Sequence, residues 1–321
     1  MKKCALHSLG CKVNSYETQA MQKMMESAGY EIVPFGEEIA DIYIINTCSV
    51  TNIADRKSRQ MIHKAKKLNP EAVVAAAGCY VESAGDNIDE DVDIVIGNNE
   101  KSHLIEILNE YFEHMDKEKS VDIGKATGFD ELNIDSPLEH TRAYVKIQDG
   151  CNRFCSYCII PYVRGRIRSR KPDDVMAEIK RVAASGCKEV VLTGIHLSSY
   201  GLDFKDSTVK LIDVIEAVNR IEGIERIRLG SLEPLIVTEE FVRRLAKCKK
   251  ICPHFHLSLQ SGCDETLKRM NRRYNVDEYY KGVELLREYF PDAAVTTDVI
   301  VGFPGETEIL LFHYDGLHNC H

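Results

Sequence analysis

The sequence lacks a long apolar run, an excess of positive charge, and a fourth cysteine close to its most compact cysteine motif. Without an apolar stretch of about 20 residues, we expect no membrane-spanning helix. Residues 1–7 lead directly into a strand-like segment, so we also expect no secretory signal peptide. The net charge of −9 argues against a generally basic nucleic-acid-binding protein. The twelve cysteines therefore indicate a reducing, cytoplasmic location in which thiols bind metals.

The most informative motif is a triplet of cysteines, Cys151, Cys155 and Cys158, with the spacing C-x-x-x-C-x-x-C. Three thiolates this close along the chain can bind one compact metal centre. A [4Fe–4S] cluster normally has four cysteine ligands, so a cluster bound by three keeps one iron open for a small molecule. The same spacing also fits a structural zinc site that lacks one ligand.

A second set of three cysteines, Cys11, Cys48 and Cys79, is spread along the first part of the chain, each residue directly after a predicted strand. In an open parallel sheet, ligands bind outside the carboxyl ends of the strands, so these cysteines are expected to converge. Gly10 and Gly78 would let the backbone approach a bulky inorganic group. We predict a second three-thiolate site, with buried structural cysteines as the alternative.

Strands and helices alternate along the first hundred residues, which predicts a parallel sheet covered by helices. A charged, aperiodic stretch at 114–140 is predicted to link this domain, 1–113, to a second domain at 141–308. The predicted strands of the first domain are 4–9, 42–46, 73–77 and 94–96, and its predicted helices are 16–28, 54–68 and 102–111.

Five further strand–helix units predict a partial parallel β/α barrel, whose active face lies at the carboxyl ends of its strands. The cysteine triplet falls directly after the first of these strands, as that rule requires. The predicted strands are 143–147, 190–192, 226–229, 255–259 and 295–301, and the predicted helices are 173–185, 209–220, 239–247 and 277–289.

Ordered motifs along almost the whole chain resemble those of the methylthiotransferase family of radical S-adenosylmethionine (SAM) enzymes. The resemblance implies an N-terminal flavodoxin-like parallel sheet followed by an incomplete radical SAM barrel. The matching segments are Gly-Cys-Lys-Val-Asn-Ser-Tyr-Glu-Thr at 10–18, Asn-Thr-Cys-Ser-Val at 46–50, Ala-Gly-Cys-Tyr at 77–80, the triplet, 161–170, Leu-Thr-Gly-Ile-His at 192–196, 229–234, 257–262 and 297–307.

Residues 10–14 resemble the branch that acts on threonylcarbamoyladenosine beside the anticodon of tRNAs reading ANN codons. The resemblance implies replacement of the C2 hydrogen by a methylthio group, with SAM as methyl donor and radical source and with electrons from a low-potential donor. It implies two [4Fe–4S] clusters, a radical-generating one on the triplet and an auxiliary one, which carries the sulfur, on the second set. Alternatives are a methylthiotransferase acting on ribosomal protein S12 and a non-catalytic iron–sulfur fragment.

The resemblance implies no catalytic side chain, because the cofactor carries the radical chemistry. The implied SAM-contacting residues end the second, third and fourth strands of the barrel. They are Thr193, Gly194, Ser231, Glu233, Gln260 and Ser261. The nearby His196 fits a structural role equally well, and residues 302–305 are expected to shape the loop after the fifth strand. Six cysteines are predicted to be structural or incidental: Cys4, Cys187, Cys248, Cys252, Cys263 and Cys320.

The resemblance stops near residue 308, where relatives continue into a small β-rich RNA-binding domain of the TRAM type. Residues 309–321 have no helical period, so we expect an aberrant tail, no TRAM-type domain, and weaker tRNA binding than in the relatives. Two basic segments are expected to steer a phosphate backbone. They are Arg56, Lys57, Arg59, Lys64, Lys66 and Lys67, and Arg164, Arg166, Arg168, Arg170 and Lys171.

Overall fold

A computed structural model describes residues 1–114, 128–136, 141–206 and 208–307. The predicted linker lies largely, and the predicted tail entirely, outside these described residues. The chain divides into two compact units. The first contains residues 1–140, 149–151 and 159–170, and the second contains 141–148, 152–158 and 171–321.

The first unit is built on a five-stranded sheet in which every pair of strands is parallel, in the order β2-β1-β3-β4-β5. This is the flavodoxin-like order, which confirms the predicted fold of this part. The unpredicted strand β2 has two residues, too few to give a pattern in the sequence. The strands are β1 (Lys3–Ser8), β2 (Glu31–Ile32), β3 (Ile42–Thr47), β4 (Val73–Gly78) and β5 (Ile94–Ile96).

Apolar side chains cover both faces of this sheet, which is why its strands are continuous hydrophobic runs. Along β3, Ile42 and Ile44 join one core cluster, while Tyr43 and Ile45 join another. The helix that follows β3 begins at a capping residue, Thr51, whose side chain accepts a hydrogen bond from the Ala54 amide at 3.1 Å. The helices of this part are α1 (Lys12–Ser27), α2 (Asn52–Leu68), α3 (Cys79–Ala84) and α4 (Leu104–His114).

Parallel strands alternating with helices form the rest of the described chain. Strands β6, β8 and β9 pair in parallel, as do β10 and β11. Single parallel bridges, such as Leu232 to Leu257, follow β9 and β10. The strands are β6 (Ala143–Asp149), β7 (Arg168–Ser169), β8 (Glu189–Gly194), β9 (Arg226–Leu229), β10 (His254–His256) and β11 (Ala294–Thr296). The helices are α5 (Ile160–Val163), α6 (Pro172–Ala184), α7 (Leu211–Asn219), α8 (Glu239–Leu245), α9 (Asp264–Arg269) and α10 (Val276–Tyr289).

The fourth and fifth strands of this parallel set are shorter than predicted. The predictions of 255–259 and 295–301 extend past the observed ends at His256 and Thr296. Leu257 and Leu259 remain buried, so the apolar alternation continues where the regular ladder has already stopped. At Gln260 the backbone turns to φ +70°, which is incompatible with a strand. Within the described ranges, no helix is both long and apolar enough to cross a membrane.

Candidate functional site

The three cysteines of the first unit lie at the carboxyl ends of neighbouring strands. Cys11 follows β1 and precedes the first turn of α1, Cys48 follows β3, and Cys79 is the first residue of α3 directly after β4. Since β1, β3 and β4 are adjacent in the sheet, their carboxyl ends share one edge. The sequence-predicted set is therefore placed on three consecutive loops of this edge.

Two glycines bring the backbone close to these loops. A Cβ atom on Gly10 would lie 2.8 Å from the Sγ atom of Cys48, so the chain before Cys11 packs directly on that thiol. Gly78 has φ +99°, and a Cβ atom there would lie 2.5 Å from the carbonyl oxygen of Thr47. Both positions exclude a side chain, because any Cβ atom would overlap an atom already there.

The electrostatics of the Cys48 and Cys79 thiols fit a metal site. Cys48 and Cys79 are 5% and 3% exposed, and burial raises the pKa of both thiols. The nearby Cys11 raises both pKa values further, whereas the positive charge of Arg164 lowers them. A thiol must lose its proton to bind a metal, and a metal supplies the charge that compensates a buried thiolate. The set therefore suits a thiolate-bound cluster.

Replacement of Gly78 by alanine is expected to destabilise the first unit more than the same replacement at Gly29. Both glycines have positive φ, but a Cβ atom on Gly29 would meet nothing within 4 Å. The difference between the two losses of unfolding free energy therefore reports the overlap with Thr47, and overpacking of this kind costs about 1–3 kcal/mol. Urea unfolding of the two variants measures these free energies. Equal losses would show that the backbone at Gly78 relaxes without cost.

The second predicted basic segment is mostly not a surface patch, which corrects that expectation. Arg164 and Arg170 are fully buried and Arg168 is 3% exposed. Arg164 pairs with Glu17 and Asp149, and Arg170 pairs with Glu131 at 2.9 Å. Buried arginines with carboxylate partners cannot attract a phosphate backbone. Only the exposed members of the segment, Arg166 and Lys171, still fit that expectation.

The cysteine triplet lies in the loop after β6. Cys151 and Cys155 are each 8% exposed, and Cys158 is half-buried. The amide of Cys158 donates a hydrogen bond to the carbonyl oxygen of Cys155 at 2.9 Å. Phe154 has φ +51°, and the side chain of Asn271 donates to its carbonyl oxygen at 2.9 Å, which holds this unusual turn. The loop is thus fixed at Cys155 by contacts from the segment after α9.

Arg272 is a site residue that the sequence did not reveal. Its Nη1 atom donates a hydrogen bond to the Sγ atom of Cys155 at 3.2 Å, and its Nε atom donates to the hydroxyl of Tyr274 at 3.0 Å. The Tyr274 hydroxyl in turn donates to the carbonyl oxygen of Ser258 at 2.6 Å. The guanidinium is therefore held against the cysteine sulfur as a charged hydrogen-bond donor. No local motif could have shown this, because 117 residues separate the two partners.

We expect the Arg272→Met variant to lose about tenfold in the rate of SAM cleavage, while Arg273→Met keeps the original rate. Outer partners of metal ligands typically contribute about 10–100-fold to affinity or activity. Arg273 is the adjacent, exposed arginine, so it controls for the loss of one positive charge in this segment. The measurement is 5′-deoxyadenosine release per bound iron. Equal rates of SAM cleavage in the two variants would show that Arg272 has no role at the cysteine triplet.

The six predicted SAM contacts fall into three groups in the structure, with Ser231 separate from the other two. Thr193 and Gly194 end β8. Glu233 follows β9 and contacts the segment after β8, since its amide donates to the hydroxyl of Ser198 at 2.9 Å. Ser231 is exposed. The remaining two make contacts of their own. The amide of Gln260 donates to the carbonyl oxygen of Asp298 at 2.9 Å, and the hydroxyl of the buried Ser261 accepts from the Cys263 amide at 3.2 Å.

Glu233 is the most strongly held of these residues. It is 4% exposed and forms a short ion pair with Arg153, while the Nε2 atom of His196 lies 3.6 Å from its Oε2 atom. Burial alone would raise the pKa of Glu233, but His196 and the positive charge of Arg153 keep this pKa below its ordinary value. The amide of His196 donates to the Gln148 side chain at 2.6 Å. Glu233 is therefore a fixed carboxylate near the carboxyl ends of β8 and β9.

Comparison with known proteins gives the class of this fold. The model of the Radical SAM superfamily matches residues 145–310, and the model described as uncharacterized protein family UPF0004 matches residues 3–97. A solved radical SAM methyltransferase, TsrM from Kitasatospora setae, is similar with a TM-score of 0.69 at 14% identity, covering 99% of this chain and 71% of that one. The cobalamin-dependent SAM radical enzyme OxsB gives a TM-score of 0.63 at 11% identity, covering 94% and 49%.

Proteins of similar sequence indicate the family within the radical SAM superfamily. The chain is 43% identical to the threonylcarbamoyladenosine tRNA methylthiotransferase MtaB of Bacillus subtilis, covering 96% of this chain and 68% of that protein. MtaB of Aquifex aeolicus is also 43% identical, covering 95% and 74%. A tRNA-2-methylthio-N(6)-dimethylallyladenosine synthase of Clostridium botulinum is 36% identical, covering 94% and 68%. The chain belongs to the methylthiotransferase family of radical SAM enzymes, whose superfamily uses a [4Fe–4S] cluster and SAM.

Proposed function

We propose that this protein converts N6-threonylcarbamoyladenosine beside the anticodon of tRNA to its 2-methylthio derivative. The observation that carries the proposal is the second set of cysteines, one on each of three adjacent loops, in addition to the triplet of the superfamily. A radical SAM enzyme that only abstracts hydrogen has no need of a second such set. Relatives with 43% identity act on threonylcarbamoyladenosine by their names, and residues 10–14 favour the same branch.

The triplet and SAM would together hold the radical source, and the second set would hold the auxiliary cluster. When bound, these groups supply a 5′-deoxyadenosyl radical for the C2 hydrogen and the sulfur that replaces it, while a further SAM supplies the methyl group. A side-chain base is not required, because an aromatic C2–H bond is not acidic. The bound groups would carry the radical chemistry, so we propose no catalytic side chain. Electrons would come from a low-potential donor in the cytoplasm.

The protein's own residues would bind and orient these groups. Thr193, Gly194 and Glu233, near the carboxyl ends of β8 and β9, would contact SAM, and the fixed negative charge of Glu233 suits a positively charged ligand group. Arg272 would stabilise the Cys155 thiolate through its hydrogen bond to sulfur. Ser231, Gln260 and Ser261 remain proposed contacts on the basis of the family resemblance.

The basic surface of α2 would attract the phosphate backbone of tRNAs that read ANN codons. Two of its six basic residues already have partners, since Lys66 pairs with Asp93 at 2.7 Å and Arg59 with Asp55 at 3.3 Å. The remaining members are exposed: Arg56, Lys57, Lys64 and Lys67. Four exposed cations on one helix can supply a local positive field in a chain of negative net charge.

The test is mass spectrometry of tRNA nucleosides from cells that lack their own enzyme and express this chain. Methylthio-threonylcarbamoyladenosine in the digest is the expected result. The unmodified precursor alone, with iron-loaded protein present, would contradict the proposal and favour a non-catalytic iron–sulfur protein. Methylthio-dimethylallyladenosine would assign the substrate to the other tRNA branch. A methylthiolated ribosomal protein S12 would move the substrate from RNA to protein.

A further inference from the structure

A cluster of buried charged side chains lies within the first unit, and its members belong to neither set of cysteines. Arg164 and Lys101 are each 0% exposed, and so is Glu17, which pairs with both of them. Asp149, 1% exposed, accepts from the Nη1 atom of Arg164 at 3.1 Å. Burying two cations and two carboxylates costs several kcal/mol per ion before their mutual attraction is counted. A stabilising role alone is therefore a weak explanation for this cluster.

Asn14 connects Arg164 to the loops that carry the first two cysteines. Its Oδ1 atom accepts a hydrogen bond from the Nη2 atom of Arg164 at 2.7 Å. Its Nδ2 atom donates to the carbonyl oxygen of Leu9 at 2.7 Å and to that of Thr47 at 2.9 Å. Thr47 directly precedes Cys48, and Leu9 lies two residues before Cys11. One buried side chain thus fixes both loops and is itself fixed by Arg164.

Lys101 makes the matching connection to the third cysteine. Its Nζ atom donates to the Oδ1 atom of Asn98 at 2.8 Å, and the Nδ2 atom of Asn98 lies 4.0 Å from the Sγ atom of Cys79. Asn98 also donates to the carbonyl oxygen of Val163 at 2.7 Å, so it bridges Cys79 to the residue before Arg164. Both cations are therefore connected to the cysteine loops through a buried asparagine.

Arg164 also acts directly on two of the three thiols. Its Nε atom is buried and has no hydrogen-bond partner among the described residues, which is unusual for a group that costs about 1–3 kcal/mol when left unsatisfied. The positive charge of Arg164 acts on both Cys48 and Cys79, lowering their pKa values against the effect of burial. A hydrogen bond from Arg164 also lowers the pKa of Cys79, so the guanidinium lies beside that sulfur.

We propose that Arg164 is the positioning residue of the auxiliary site, holding the Cys11 and Cys48 loops through Asn14 and placing a fixed positive charge beside the sulfurs. This inference rests on the proposed auxiliary cluster. The net charge around an iron–sulfur cluster and hydrogen bonds to its sulfurs set its reduction potential. One electron taken up from a chemical reductant makes the cluster more negative, and a nearby cation favours that state. Glu17 opposes this effect, because it partly compensates the charge of Arg164.

The experiment is a redox titration, followed by electron paramagnetic resonance, of the full chain with Cys151, Cys155 and Cys158 replaced by alanine. Only the auxiliary cluster remains in this parent protein. Arg164→Met is expected to lower the reduction equilibrium constant at least about tenfold, which is about 59 mV for one electron. Glu17→Gln is expected to raise the potential, and Arg164→Lys to stay close to the parent because it keeps the charge.

The matched control is Arg244→Met, which removes an arginine that pairs with Asp213 and Glu216 in the second unit. It is expected to leave the potential unchanged. Unchanged potentials in both Arg164→Met and Glu17→Gln would overturn the inference. Arg164→Met could fail to bind iron, and the other two variants then decide. Iron retained in Arg164→Lys together with a raised potential in Glu17→Gln would support the inference. Loss of iron from Arg164→Lys, or an unchanged potential in Glu17→Gln, would overturn it. A parent without iron would overturn the auxiliary site itself, and this inference with it.

Discussion

Replacement of Cys79 by alanine is expected to reduce methylthio transfer at least about a hundredfold while leaving SAM cleavage intact. Cys79 is one of three proposed ligands of the auxiliary cluster, and loss of an outer partner alone costs about 10–100-fold in metal sites. Under the proposed function, cleavage depends on the triplet, which this substitution leaves unchanged. The measurement is the yield of methylthio nucleoside against 5′-deoxyadenosine, with reconstituted protein and tRNA.

Cys4→Ala is the matched control for this prediction. Cys4 is a fully buried cysteine of β1 in the same unit, and burial raises its pKa to about 12, as expected for a thiol that stays protonated. The Cys4 variant is expected to keep both product and cleavage and to lose only packing energy, about 1 kcal/mol. If Cys79→Ala forms product at the level of Cys4→Ala, the second cysteine set has no role in sulfur transfer.

Replacement of Cys155 by alanine is expected to abolish both SAM cleavage and product, with at least a hundredfold loss of each. Cys155 is 8% exposed and accepts the hydrogen bond of Arg272, so its loss removes a proposed ligand and leaves the partly buried guanidinium without that partner. The auxiliary iron should remain, since Cys11, Cys48 and Cys79 lie on other loops.

The control for Cys155 is Cys248→Ala, which removes a cysteine that is 4% exposed and predicted to be structural. Its thiol contacts the carbonyl oxygen of Arg244 at 3.8 Å. Full cleavage activity is expected in this variant. Cleavage that survives in Cys155→Ala would mean that the triplet does not bind the radical-generating cluster.

Much of the fold could be predicted because buried parallel strands are continuous apolar runs. β3 and β4 were predicted to within a residue, since nearly all their side chains are buried. The end of β10 was wrong because Leu257 and Leu259 continue the buried pattern after the regular pairing stops. The end of β11 was wrong for a different reason, since the apolar Val299 and Val301 that suggested a longer strand are exposed. A pattern of apolar residues indicates which side chains are buried, but a strand also requires backbone hydrogen bonds, which the sequence does not show.

The cysteines could be predicted as candidates, but their charged surroundings could not. Arg164, Arg168 and Arg170 look like a surface patch in the sequence, whereas the structure buries all three. A charge is buried only where distant partners compensate it, and Glu17 lies 147 residues from Arg164. Arg272 could not be predicted for the same reason, because its role depends on a hydrogen bond to a residue distant in the sequence, Cys155.

Iron content tests the central claim, that the chain carries two separate three-cysteine cluster sites. After anaerobic reconstitution, the unmodified chain should bind about eight iron atoms, the number in two [4Fe–4S] clusters. The variant with alanine at 151, 155 and 158 should bind about four, and so should the variant with alanine at 11, 48 and 79. Equal iron in the unmodified chain and the second variant would show that Cys11, Cys48 and Cys79 bind no cluster, and would contradict the account.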